Sequence, residues 1–112
     1  MSKLTHLDAD GRPRMVNVGD KAMTHRVAVA EARIAMSEEA RQAIAGGAVK
    51  KGDVLRIAEL AGVQGCKRTS DLIPLCHPLP IDGVEVTAEL DDEGVRVLAT
   101  VRAHWKTGVE ME

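Results

Sequence analysis

Two stretches of the chain alternate between apolar and polar positions with a period of two. Val84, Val86, Ala88 and Leu90 interleave with Glu85, Thr87 and Glu89, and Val95, Val97, Ala99, Val101 and Ala103 resume the alternation further on. That period belongs to strands with one buried face. Asp91-Asp92-Glu93-Gly94 lies between them, turn residues ending in a glycine where φ > 0 would be needed, so an antiparallel hairpin is predicted. A different period governs the segment after Asp53. Val54, Ile57, Ala58 and Ala61 fall at the i, i+3, i+4, i+7 spacing of one buried helical face, with Asp53 as N-cap and Lys67 and Arg68 at the C-terminal end. Gly62 and Gly65 cost that helix about 1 kcal/mol each relative to alanine, which a close approach of another backbone would justify.

Upstream the pattern is less decisive. Ser37 reads as an N-cap followed by Glu38 and Glu39 in a first helical turn, and Gly46-Gly47 supplies the stop. Thr24–Met36 fits two descriptions. Its alanine content favours helix, whereas Val27, Val29, Glu31 and Arg33 alternating against Ala28, Ala30, Ala32 and Ile34 favour a strand. Residues 1–20, broken by Gly11, Pro13 and Gly19, read as an extended arm with a short strand at Arg14–Val18. From Leu72 to Pro80 the chain carries Pro74, Pro78 and Pro80, which exclude helix and stiffen an extended path. Two helices and an antiparallel sheet with one buried face make an α+β layer structure.

Composition sharpens this picture. A single domain is the expectation for 112 residues, and a chain of that size buries roughly 60–70% of its unfolded surface. Its 45% apolar residues include no Phe or Tyr and one tryptophan, Trp105, so the core must be aliphatic. Aliphatic side chains bury less area than aromatic ones, and shared subunit surface would help. The 15 basic and 17 acidic residues nearly cancel, and no run of Lys or Arg exceeds two. Generic nucleic-acid binding is thereby disfavoured, while a small anion in a local pocket stays open. Apolar runs are too short to span a bilayer, and Met1–His6 has no secretory pattern. A soluble, cytoplasmic domain with two free thiols, Cys66 and Cys76, is expected.

Three places could carry chemistry. Lys50-Lys51-Gly52-Asp53 sets a lysine before a helix N-terminus, where ammonium and backbone amides can hold a phosphate; the motif by itself is equally a solvated lysine pair. His77 lies between Pro74 and Pro78, which fix its backbone as a general acid or base requires, against the plain alternative of a histidine on a rigid loop. Glu110 and Glu112 would share a face on a strand and could raise one another's pKa, although glutamates at this position are ordinarily just exposed. A zinc set of Cys66, Cys76, His77 and His104 matches no standard spacing, so no metal site is expected.

Taken together, Met15-Val16-Asn17-Val18, Lys51-Gly52-Asp53-Val54, Ala61-Gly62 with Lys67-Arg68-Thr69, DLIPLCHPL at 71–79 and TGVEME at 107–112 occur in order. From Leu4 onward the chain closely resembles the MoaC-type cyclic pyranopterin monophosphate synthases of molybdenum cofactor biosynthesis. The resemblance implies a ferredoxin-like antiparallel sheet packed on helices, a hexamer built as a trimer of dimers, and active sites at subunit interfaces. It also implies that Thr24–Met36 is strand. The implied reaction is that of a lyase: a cyclic dihydro-GTP intermediate rearranges to the pyranopterin with a cyclic phosphate, and pyrophosphate leaves. No cofactor is implied as required, and Mg²⁺ with the phosphates is compatible.

By motif match, Lys51 would face the phosphates or move a proton. Leu75, Cys76 and His77 would line the substrate, His77 as acid/base or hydrogen-bonding group, and Glu110, Met111 and Glu112 would form another wall; the implied catalytic set is Lys51, His77 and Glu112. Thr107 and Gly108 would shape the turn that presents that wall. Asn17 and Cys66 stand where the family commonly has Asp and Ala. The family continues past this block into a long helix with an Asp-x-x-Lys pair and a Lys- and Gly-rich loop, so the chain reads as lacking its C-terminal portion. The expectation is then that residues 1–112 alone have little activity, and the rival reading is a non-catalytic ligand-binding or assembly fragment of that fold.

Overall fold

The computed structural model describes residues 9–15, 19, 22–47 and 53–112. Its elements are β1 (Thr24–Ala35), α1 (Glu38–Ala45), α2 (Val54–Leu72), β2 (Ile81–Leu90) and β3 (Gly94–Trp105). The strands form one antiparallel sheet in the order β1-β3-β2, so β3 is central. This is the expected α+β arrangement, and the ambiguous segment is strand along almost its whole length. Register fixes the faces. Ala28 and Val84 flank Val101, Arg26 and Ile81 flank Ala103, and strand alternation carries every second residue to the same side. On that side Cys66 of α2 packs with Val101, Ala103 and Val109, and Ala28, Leu79, Ile81 and Val84 pack around them. The core is assembled from small side chains; among the described residues no large one is completely enclosed.

The hairpin closes as its sequence predicts but for a different reason at its glycine. Asp91 Oδ1 accepts from the backbone N–H groups of Glu93 and Gly94, both at 2.9 Å, and forms the turn. The φ angle of Gly94 is not positive. Glycine is needed there because the end of β1 pairs alongside: a Cβ on Gly94 would run into the carbonyl oxygen of Ile34. The pairing carries on just past Ala35, with Met36 N–H donating to Glu93 O at 3.0 Å.

Both predicted caps are present. Ser37 accepts from Ala40 N–H at 3.1 Å, and Asp53 Oδ1 accepts from Leu55 and Arg56 N–H at 3.1 and 3.2 Å. α2 runs further than its sequence indicated. It ends at Leu72, where Ile73 turns extended ahead of Pro74, so Lys67 and Arg68 lie before its last turn and Leu72 is helical. Its buried stripe is also rotated from the predicted one. Ile57 and Ala61 face outward, while Ala58, Gly62, Cys66 and Thr69 face the sheet. Gly62 sets this rotation: a Cβ on it would come within 2.7 Å of Val86 Cγ1, so the glycine admits a side chain rather than a backbone. Gly65 meets nothing within 4 Å, but its carbonyl accepts from the buried Thr69 hydroxyl at 2.8 Å.

Glu59 ties the helix to the edge of the sheet. Its Oε2 accepts from Ala88 N–H at 2.9 Å on edge strand β2, and its Oε1 pairs with Arg56 at 2.9 Å. Both donors hold the Glu59 carboxyl below the usual carboxylate range, Ala88 N–H first. Of the two helices it is α2 that covers the sheet; α1 has no buried residue. Much of β1 is left uncovered, with Val27, Val29 and Ile34 each about 60% exposed. Arg14 and Met15 are exposed and outside any extended strand; Val16–Val18, the rest of that predicted strand, fall outside the described residues. No helix among the described residues is long and apolar enough to cross a membrane.

Candidate active site

The proline-punctuated segment brings its cysteine inward. Ile73 N–H closes α2 onto Thr69 O at 2.8 Å, and Cys76 N–H returns to Ile73 O at 3.1 Å. That tight turn, made against Pro74, leaves Cys76 buried and Leu75 and His77 half-buried on either side. Pro78 and Pro80 then carry the chain straight into β2.

The closing segment meets it from β3. After Trp105 the chain leaves the sheet, and Val109, 3% exposed, anchors it in the core beside Cys66. A Cβ on Gly108 would meet only the end of the exposed Glu110 side chain. The two blocks join at a single polar contact. Cys76 Sγ donates to Glu112 Oε1 at 3.2 Å. The other oxygen, Oε2, is buried and has no partner. Burial pushes the Cys76 thiol up to about 11, helped by its hydrogen bond to Glu112 and by the charges of Glu112 and Glu110. Burial likewise raises the Cys66 thiol, with the charge of Glu112 adding to it. Cys76 is therefore a neutral donor at physiological pH rather than a nucleophile.

Residues 15–112 match the MoaC family. The cyclic pyranopterin monophosphate synthase of Dinoroseobacter shibae is 54% identical over 114 aligned positions, covering all of this chain and 72% of that protein. The synthase so named in Jannaschia sp. strain CCS1 is 51% identical, with all of this chain and 70% of that protein covered. The chain belongs to the MoaC family.

Among the residues singled out by this MoaC sequence, the structure brings Cys76 and Glu112 into contact and places Glu110 within electrostatic reach of the same thiol. The His77 imidazole makes no hydrogen bond among the described residues and stays half-open. Met111 is 52% exposed and does not close the wall. Lys51 falls outside the described residues. The four-residue zinc set does not assemble. His104 lies on the sheet face opposite Cys66, where its Nδ1 is 3.2 Å from His25 Nε2 across the β1–β3 pairing.

One residue that pattern reading missed is Arg26. It lies on β1 opposite Ala103, on the face that carries the cluster around Cys66, and its Nε is buried without a partner. A basic residue at an inward position of an alternating strand was the available signal. Lys67 was read at the end of the helix and within a family block, with no site role. It lines an open hollow of about 480 Å³ between α2 and the start of β2, with Val63, Leu79 and Asp82 among its walls. Among the described residues three buried side-chain atoms, Arg26 Nε, Arg96 Nε and Glu112 Oε2, make no hydrogen bond, although Arg96 Nε lies 3.2 Å from the Glu31 carboxylate; Arg26 and Glu112 are thereby left with a donor and an acceptor to offer.

Proposed function

We propose that this chain acts as a cyclic pyranopterin monophosphate synthase in molybdenum cofactor biosynthesis, a lyase converting the cyclic 7,8-dihydro-GTP intermediate to the pyranopterin with loss of pyrophosphate. The observation that carries the reading is the Cys76–Glu112 contact, which joins the two longest family blocks into one polar site. The substrate sets the chemical demands. A triphosphate calls for cations, which Lys51 and Arg26 would supply, and positioned cations stabilise charge that develops as pyrophosphate leaves. The purine-derived ring calls for proton transfer, for which the half-open His77 imidazole is placed on a stiff segment. Glu112 would accept from a ring N–H through Oε2. Leu75, Cys76, Glu110 and Met111 would shape the wall around it.

The reading needs no resident cofactor; Mg²⁺ can travel with the phosphates as their counter-ion. It places the protein in the cytoplasm, where two free thiols persist, and in a hexamer of three dimers with sites at subunit interfaces. Support for assembly comes from the exposed apolar side chains of β1. The test is to supply the purified chain with enzymatically generated cyclic dihydro-GTP and follow the oxidised pterin product and pyrophosphate. In a protein of the relatives' full length, His77→Ala is expected to abolish product while native mass is unchanged. Unchanged turnover removes His77 from the mechanism, and a dissociated oligomer makes it structural. Binding of the intermediate with no pyrophosphate released favours a non-catalytic ligand-binding role.

A further inference from the structure

We propose that Cys76 is a positioning residue for Glu112: its thiol holds Oε1, fixes the plane of the carboxylate, and leaves Oε2 as the oxygen offered to an N–H donor of the bound ligand. This deepens the functional reading above and rests on it for the identity of the ligand. The argument begins with what each atom has available. A carboxylate without a fixed neighbour rotates about its terminal bond and presents either oxygen. Here Oε1 is engaged at 3.2 Å by a thiol that is itself only 6% exposed, so a half-buried glutamate is anchored at one oxygen to the core. Oε2 is buried too but has nothing to accept from. A buried carboxylate oxygen without a donor is costly, and a ligand N–H is the group that relieves that cost.

The thiol suits this task because it is a donor that stays protonated. A serine in its place would also donate, whereas an alanine would free the carboxylate to turn. The thiol has one competing acceptor, the His77 carbonyl at 3.7 Å, longer and uncharged. Charge-assisted bonds are the stronger of the two kinds, so the thiol keeps its proton and points it at Glu112. An amino-substituted purine or pterin ring presents N–H donors of the kind Oε2 can accept. A ligand offering only acceptors at this point would leave the oxygen unsatisfied and be rejected.

The test reads the thiol directly. In a Cys66→Ala background one S–H stretching band remains in the infrared spectrum of the folded chain. Glu112→Ala is expected to move that band to higher frequency, as a thiol loses its charged acceptor; a band that does not move overturns the proposal. Binding of GTP, used as the probe, supplies the second readout. Cys76→Ala is expected to weaken it about fivefold, the effect of one net hydrogen bond, and Cys76→Ser to restore it to within about twofold. Equal affinity in all three overturns the positioning role while leaving the proposed function standing. A wild-type chain that does not bind GTP refutes the ligand class and the positioning role with it, and the infrared band still decides the hydrogen bond. Should Cys76→Ala fail to fold, the serine variant and Glu112→Ala carry the test.

Discussion

Arg26→Met should make this protein more stable and a poorer ligand binder. The Arg26 Nε is buried without an acceptor, and its strand neighbour is Ala103, 1% exposed. An unsatisfied buried donor costs on the order of 1–3 kcal/mol, and a side chain of similar length without polar atoms removes that cost. Methionine keeps most of the packing along the arginine stem, so a net gain of about 1 kcal/mol is expected. For a domain of this size that raises the melting temperature by roughly 4–8 °C. Ligand binding should move the other way. A charge-assisted hydrogen bond to a phosphate is worth about 1.5–3 kcal/mol, so GTP affinity should fall by roughly ten- to a hundredfold. Urea titration and calorimetry on the same samples measure both. Destabilisation by Arg26→Met with GTP affinity unchanged refutes the reasoning, because the arginine would then be a structural residue whose partner is within the protein.

Further predictions follow from individual contacts. Gly94→Ala should destabilise by about 2 kcal/mol, since the new Cβ meets backbone of β1 that cannot rotate away, whereas Gly65→Ala, with nothing within 4 Å, should stabilise by up to about 1 kcal/mol through helix propensity; paired denaturation curves check both signs. The depressed Glu59 carboxyl contributes stability that is present above its unfolded pKa and lost as pH falls through its lower folded value. Glu59→Gln should therefore flatten the acid limb of a stability–pH curve below the reference value of 4.5. Trp105, with the Lys106 ammonium 6.0 Å from its ring centroid, adjoins the segment that carries Glu110 and Glu112, so GTP should change its emission in the wild type and not in Glu112→Ala.

How much of this was legible in the sequence depends on what each residue answers to. The caps at Ser37 and Asp53 and the hairpin turn at Asp91 are local: a side-chain oxygen meets an amide two or three residues on, and the chain itself announces it. Thr24–Met36 was different. Its residues alternate as a strand's would while its alanine content favours helix, and strand wins because β3 is beside it, a fact about a segment some seventy residues away. The face of α2 was misplaced for the same kind of reason. Helical spacing proposed Ile57 and Ala61, but the contact was decided by Val86 finding room over Gly62. Gly94 looked like a φ > 0 residue, and only the Ile34 carbonyl on the paired strand explains it.

The candidate site divides along the same line. Cys76 and Glu112 could be named from their motif blocks, but not that one touches the other, nor that the thiol donates. In sequence Cys76 reads only as part of a substrate-lining block beside His77. The structure adds its chemistry: burial and the two nearby carboxylates hold the thiol's pKa up to about 11, so it serves as a hydrogen-bond donor to Glu112. That role comes from where the chain folds back after Val109, not from any residue type in the motif. Arg26 escaped notice because one cation in an alternating strand reads as a surface residue until its register places it over Ala103. The groups that point to a ligand here are Arg26 Nε and Glu112 Oε2, which, unlike Arg96 Nε beside Glu31, are buried among the described residues with neither a hydrogen bond nor an ion pair. Those atoms become visible only when the partners that might have satisfied them are known to be elsewhere.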